Sequence, residues 1–297
     1  MKRSLALLTL TLTLTAALPA AAGTGYSVQS DGNHKLYKID LVSGVATPVG
    51  NGTGFEGVEG LTFGPGCKTL YGVDDVKDRL LTCDIKTGGC ASTGSLGVDV
   101  TDTGLAFANN GKLYMSTDAP KNPIRFFEVD LKTGFATWTG NQGTEVTGLA
   151  ANPFGVWGLG GDGKDDLVAV NPGTGKAITI GKLGKAVTLQ DGGLDFDRDG
   201  TLYGLNDLGP GSPSSGRASQ LFKINVQTGS AALAASLKDP SGRAINGFEG
   251  LAIDGGICAL EGFGEAESVD APALDVFGMG LLALGLATAA LFVLRRV

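Results

Sequence analysis

The feature that most constrains this chain is internal repetition. A nine-residue element spans Leu36–Gly44 and returns at Leu80–Gly88, Phe126–Gly134, Leu167–Gly175 and Leu221–Gly229. Each copy opens on two large apolar residues, has Asp or Asn fifth, and closes on Ser-Gly or Thr-Gly. A second element carries Gly-Leu at its second and third positions: Glu59–Phe63, Thr103–Phe107, Thr147–Ala151, Gly192–Phe196 and Glu249–Ile253. Its glycines, Gly60, Gly104, Gly148, Gly193 and Gly250, are spaced 44, 44, 45 and 57 residues apart. The long last interval holds a Gly-, Pro- and Ser-rich insertion over 209–216, a loop by composition. Between the two elements lies a third run, seen at Leu70-Tyr71-Gly72, Leu113-Tyr114, Val156-Trp157-Gly158 and Leu202-Tyr203-Gly204.

Such a unit supplies four short strands in about 44 residues, the period of a β-propeller blade. Alternation of Leu61 with Phe63, and of Leu105 with Phe107, suits a strand buried on one face. In the Asp/Asn-x-x-Thr-Gly element the acid or amide can accept the next backbone N–H groups while Gly takes a left-handed turn position. Composition agrees. With 49 Gly among 297 residues a helical bundle is disfavoured, and 42% hydrophobic against 18% charged residues is too apolar for disorder.

The repeats run out of phase with the chain ends. Residues from Gly25 resemble the Leu-Tyr-Gly strand without a Gly-Leu partner, whereas Glu249–Ile253 and the run Ile257–Leu260 lack the Asp-x-x-Thr-Gly hairpin. The fragments complement each other, which predicts an all-β, five-bladed β-propeller over 24–264 whose last blade combines both termini. Six blades is the alternative if a degenerate copy escapes the count.

Outside that body the ends read as addresses. Lys2 and Arg3 precede the apolar run Leu5–Leu18 and small residues near Ala22, the pattern of a signal peptide over 1–22. A linker over 265–275 leads to Val276–Leu294, 19 residues without a charge, stopped by Arg295-Arg296. That length suits a transmembrane helix over 276–296 with the basic end in the cytoplasm. Between Thr24 and Asp270 there are 19 basic and 29 acidic residues, an acidic body that disfavours nucleic acid.

Export places the body in an oxidising compartment, where Cys67, Cys83, Cys90 and Cys258 read as two disulfides. Cys83 and Cys90 flank one hairpin turn, and Cys67 and Cys258 each follow a Gly-Leu strand in units adjacent across the ring closure. Cys83–Cys90 with Cys67–Cys258 is therefore favoured over the other two connectivities.

The segment Pro272-Ala273-Leu274-Asp275-Val276-Phe277-Gly278-Met279, with its apolar run and terminal Arg295-Arg296, resembles the IPTL-CTERM sorting tail of Gram-negative surface proteins. Ala271, Ala273 and Phe277 replace the Ile, Thr and Trp of that pattern. The resemblance implies an exosortase-like processing enzyme as partner and an envelope location: either anchored in the inner membrane or released to the surface after processing. The body, over about Tyr26–Gly264, resembles secreted bacterial propellers such as the DUF4394-like family, which implies architecture and no activity.

Chemistry is sparse. Glu59 and Glu249 stand at equivalent places before Gly-Leu in blades expected to be neighbours, and Asp74, Asp75, Asp118, Asp162 and Asp207 follow the Leu-Tyr strands. Hard oxygen donors of this kind suit Ca²⁺, and Glu59, Glu249, Asp74 and Asp207 are the metal candidates. The Glu-Gly start also resembles the metal-binding Glu of calcium-dependent lactonase and esterase-like propellers, whose other ligand positions and basic clamp are not matched. Asp195–Gly200 mimics a calcium loop with Asn206 at its twelfth position, yet it aligns with the hairpin turn at Asn110-Gly111. His34, the one histidine, lies in a polar turn, and no serine-nucleophile motif appears. The expectation is a non-catalytic binding or structural surface protein, with a calcium-dependent propeller hydrolase as the alternative.

Overall fold

The five Asp/Asn-x-x-Ser/Thr-Gly elements fold into one and the same turn. Asp40, Asp84, Asp130, Asn171 and Asn225 each accept two following backbone N–H groups on Oδ1, as in Asp130 to Lys132 (3.0 Å) and Thr133 (2.8 Å). Each also accepts the turn glycine's N–H on its carbonyl, at 2.7–2.9 Å. Gly44, Gly88, Gly134, Gly175 and Gly229 adopt φ of 70–79°, where a side chain would be strained.

The computed structural model describes residues 23–30, 32–117, 124–160, 164–185, 187, 189, 191–208 and 217–264. The turns join strands in chain order: β1 (Thr24–Val28), β2 (Leu36–Asp40), β3 (Ala46–Val49); β4 (Glu59–Phe63), β5 (Leu70–Asp74), β6 (Arg79–Cys83), β7 (Cys90–Ser95). They continue as β8 (Gly104–Phe107), β9 (Leu113–Thr117), β10 (Arg125–Val129), β11 (Ala136–Asn141); β12 (Gly148–Asn152), β13 (Gly155–Leu159), β14 (Asp166–Val170), β15 (Ala177–Lys182). Last come β16 (Gly192–Phe196), β17 (Leu202–Asn206), β18 (Gln220–Ile224), β19 (Ala231–Ser236) and β20 (Glu249–Asp254). They form five antiparallel four-stranded sheets: β4 to β7, β8 to β11, β12 to β15, β16 to β19, and a closing sheet ordered β20-β1-β2-β3. The protein is a five-bladed β-propeller whose last blade takes its inner strand from one end of the body and three strands from the other. Ile257–Ala259 departs from expectation. It forms a 3-10 turn, because β1 already occupies the edge of β20 that a following strand would need.

Three rings of contact hold the blades together. On the axis, a Cβ on Gly60 would lie 2.9 Å from Thr103 O, on Gly104 2.7 Å from Leu149 N, and on Gly148 2.9 Å from Gly192 O. Gly193 and Gly250 complete the circle against Leu251 N (2.1 Å) and Leu61 N (2.8 Å). Any side chain here would push adjacent backbones apart. Farther out, Gly50, Gly94, Gly140 and Gly181 each sit under the Thr carbonyl of the next blade's turn, at 1.7–2.2 Å from a would-be Cβ. Between the rings, an aromatic on the second strand packs on the inner strand of the next blade. Tyr26 meets Phe63 (5.8 Å between ring centroids), Tyr71 meets Phe107 (6.0 Å) and Trp157 meets Phe196 (5.1 Å). Such pairs contribute about 0.5–1.5 kcal/mol each beyond area burial.

One end of the axis is bolted shut. Ile257 and Phe263 are buried with Ala108, Ala151 and Phe196, and Gly264 abuts Pro65 and Phe107. Cys67 is bonded to Cys258 across the closure, spanning 191 residues, and Cys83 to Cys90 across a hairpin, the expected connectivity. Asp195 Oδ2 accepts the Ile253 N–H (2.6 Å) and Asp197 Oδ1 the Gly23 N–H (3.1 Å), pinning the closing blade to its neighbour. Both ends of the described body, Gly23 and Gly264, therefore lie at this end. Among the described residues no helix is long and apolar enough to cross a membrane. The expected signal peptide, the sorting motif (Pro272, Leu274, Phe277, Gly278, Arg295, Arg296) and the terminal span lie outside the described residues, as do Asp118 and Asp162.

Candidate metal centre at the acidic end of the axis

The opposite end is set by the residues just before each axial glycine. In four of the five blades one of the two preceding positions is acidic: Glu59, Asp102, Asp191 and Glu249. The blade of β12 has Val146 and Thr147 instead. Two acids are aimed by the same local device. Gly60 and Gly250 are left-handed (φ 51° and 69°), and the pairing of β4 with β5 and of β20 with β1 shifts register beside them. A bulge of this kind turns the residue at its foot out of the strand's regular alternation. Asp102 is itself left-handed, at φ 42°.

One carboxylate oxygen from each of Glu59, Asp102 and Asp191 lies within 4.8 Å of the other two. Glu59 Oε2 accepts the Thr103 N–H (3.0 Å) and lies 3.4 Å from the Thr103 hydroxyl. Asp191 Oδ1 accepts the Gly192 N–H (2.5 Å), and the Asp191 carbonyl accepts the Asp207 N–H (2.9 Å). The Asp75 carboxyl interacts with that of Glu59. The Ser30 hydroxyl donates to Glu249 Oε2. Glu59, Asp191, Asp207 and Glu249 are all buried.

Burial and crowding oppose ionisation. Glu59 is pushed well above the ordinary carboxylate range, first by burial, then by the charges of Glu249, Asp75 and Asp102, with the Thr103 amide acting against them. Asp191 is pushed well up by burial, then by Glu59 and Asp102, with a smaller contribution from Asp207. Asp75 is raised by burial, partly offset by its interaction with Glu59. The named charges pressing on Glu59 are all negative, and a cation at this point would reverse the balance.

Of the expected ligands, Glu59 lies in the cluster, Glu249 acts on Glu59, and Asp207 acts on Asp191. Asp74 is engaged elsewhere: its Oδ2 accepts from Arg79 Nε (2.8 Å) and Nη2 (2.5 Å), and Oδ1 accepts the Lys77 N–H (3.2 Å). Asp195–Gly200 is a hairpin turn, with Asp197 N–H on the Thr201 carbonyl (2.9 Å). His34 is half-buried in a left-handed turn, φ 55°. Asp102 and Asp191 were not among the expected residues, although each stands two places before its axial glycine.

No family model and no curated protein matches the chain. Solved structures do. A chain of the nidogen/laminin complex aligns over 77% of this chain and 97% of its own length, at 12% identity and a TM-score of 0.50. Hydrazine synthase of Kuenenia stuttgartiensis aligns over 65% of this chain and 51% of its own, at 16% identity and a TM-score of 0.42. This chain thus spans about half the length of that synthase chain. The likeness to the nidogen/laminin chain is one of fold alone.

Proposed function

We propose that the protein is an exported, non-catalytic binding propeller of the Gram-negative envelope that engages a positively charged ligand at the acidic end of its axis. The observation that carries this reading is the convergence of Glu59, Asp102 and Asp191 at the end opposite Gly23 and Gly264. With a C-terminal anchor beyond Gly264, the acidic end would face away from the membrane. Two disulfides suit an oxidising compartment outside the cytoplasm. The sorting-tail resemblance supports an exosortase-like enzyme as processing partner, and mass measurement of the exported chain checks whether residues beyond the linker are removed. Binding is tested with spermidine as a cationic probe. Saturable binding that Glu59→Gln with Asp191→Asn abolishes supports the reading, and indifference to both substitutions refutes it.

A second reading, a calcium-dependent hydrolase, is favoured by the pairing of Glu59 with Asp75, because burial raises both carboxyls above the ordinary range, the direction a proton donor needs. Turnover of lactones or phosphoesters that Glu59→Gln abolishes would establish it. Absence of turnover with and without calcium leaves the binding reading.

A further inference from the structure

We propose that the charged ligand is a divalent cation of the calcium type, held between blades by the carboxylates of Glu59, Asp102 and Asp191 with the Thr147 hydroxyl as a neutral donor. This deepens the binding reading and rests on it. Three carboxylate oxygens within 4.8 Å of one another can all reach a single ion. Carboxylates from different blades, with no water-retaining octahedral cage built around them, suit the variable oxygen coordination of Ca²⁺ at about 2.3–2.6 Å better than the strict octahedron that Mg²⁺ demands. An all-oxygen set with no Cys or His also disfavours Zn²⁺.

An acidic cluster alone would not single out a metal. Thr147 supplies an independent observation. In its blade it occupies the register that Glu59, Thr103 and Glu249 occupy in theirs, directly before the axial glycine. Its side chain is fully buried and its Oγ1 has no hydrogen-bond partner. Leaving a buried hydroxyl unsatisfied is destabilising. Its counterpart Thr103 turns the same hydroxyl toward Glu59 Oε2, so the register faces the acidic end. Asp75 Oδ1, next to Glu59, is likewise buried and unpartnered. A cation among these groups would use the threonine lone pairs, hold Glu59 and Asp191 ionised, and tie together four blades, only two of which are joined here by the Thr103–Glu59 hydrogen bond.

The test is calorimetric titration of Ca²⁺ into the exported, disulfide-intact protein after chelator treatment, with thermal melts alongside. One site per chain is expected. Asp102→Asn and Asp191→Asn should each weaken it about tenfold or more, and Thr147→Val several-fold. In the calcium-free protein the acid-to-amide variants should melt higher than the unsubstituted chain, because they remove repulsion. That opposite sign shows that they fold, and a purely structural role would not produce it. No heat and no melting shift up to about 10 mM Ca²⁺ overturns the proposal, as does calcium binding that Asp102→Asn and Asp191→Asn leave unchanged. Mg²⁺ binding as tightly as Ca²⁺ overturns the calcium-type assignment. If spermidine binds at the acidic end and calcium does not, this inference falls while the binding reading stands; if neither binds, both fall.

Discussion

The two ends of the axis are built from the same repeat and to opposite rules. At the bolted end, Ile257 and Phe263 fill the opening, a disulfide spans the closure, and Asp195 and Asp197 accept backbone N–H groups of the closing blade. At the other end buried carboxylates face one another and resist ionisation. The first arrangement ties the ring together, and only Asp195 there, raised by burial to about 7, carries a cost of the same kind. The second raises the energy of the ring, and five blades did not need it, since the blade of β12 manages with Val146 and Thr147. A cost the fold does not require is best read as a site.

That contrast can be broken from either side. Cys67→Ser with Cys258→Ser should have the largest effect, because the bridge closes a 191-residue span. On the chain-entropy model the loss is about 5 kcal/mol, against about 2.5 kcal/mol for Cys83–Cys90. Denaturant unfolding of the two paired variants measures the difference, and equal losses would remove the special role of the closure. Gly193→Ala, on the glycine ring between the ends, places a Cβ 2.1 Å from Leu251 N. The backbone must shift, at about 3 kcal/mol, or about 6–12 °C in melting temperature for a chain of this size. At the acidic end the sign reverses: Asp191→Asn should raise the melting temperature of the calcium-free protein at about pH 7, because it removes a buried charge that burial and Glu59 oppose.

The smallest effect is a slope in pH. Glu59 and Asp191 bind protons more tightly folded than unfolded, so stability is highest near pH 4 and falls as pH rises toward their folded values. Asp195, raised by burial to about 7, adds a loss of the same sign between pH 3.8 and 7 at the bolted end. Asp40 and Asp130, lowered by hydrogen bonds to Ser43 and Thr133, act oppositely and lose their contribution below pH 3.8. Melts across pH separate the two ends. Asp195→Asn should remove the part of the slope that calcium leaves, and calcium the part belonging to the acidic end. A slope unaffected by either would refute the assignment.

Architecture was legible in the sequence because a blade is a local object. Asp130 and Gly134 build their turn from five consecutive residues, and Leu61 and Phe63 declare a buried face by alternation alone. The outer ring was half legible: Gly50, Gly94, Gly140 and Gly181 recur six places after four of the five turn glycines, with Ala235 after Gly229, but what excludes a side chain at the four is the next blade's carbonyl. The run Ile257–Leu260 looked like another strand, and only the placement of β1 along β20 turned it into a cap. At the site, Glu59 stood out beside its glycine. Asp102 and Asp191 stand one residue earlier, where the repeat has no shared character to draw attention.

By itself, then, the sequence determined the blade and the out-of-phase closure, and favoured the five blades and the cysteine pairing that the structure shows, all from short-range pattern and arithmetic on the repeat. The tertiary structure alone decided which acids meet. Glu59, Asp102 and Asp191 come from three blades, and ring closure together with the twist of each inner strand selects which side chains point at the axis. The charge that gathers there is a property of the ring, and no single repeat contains it.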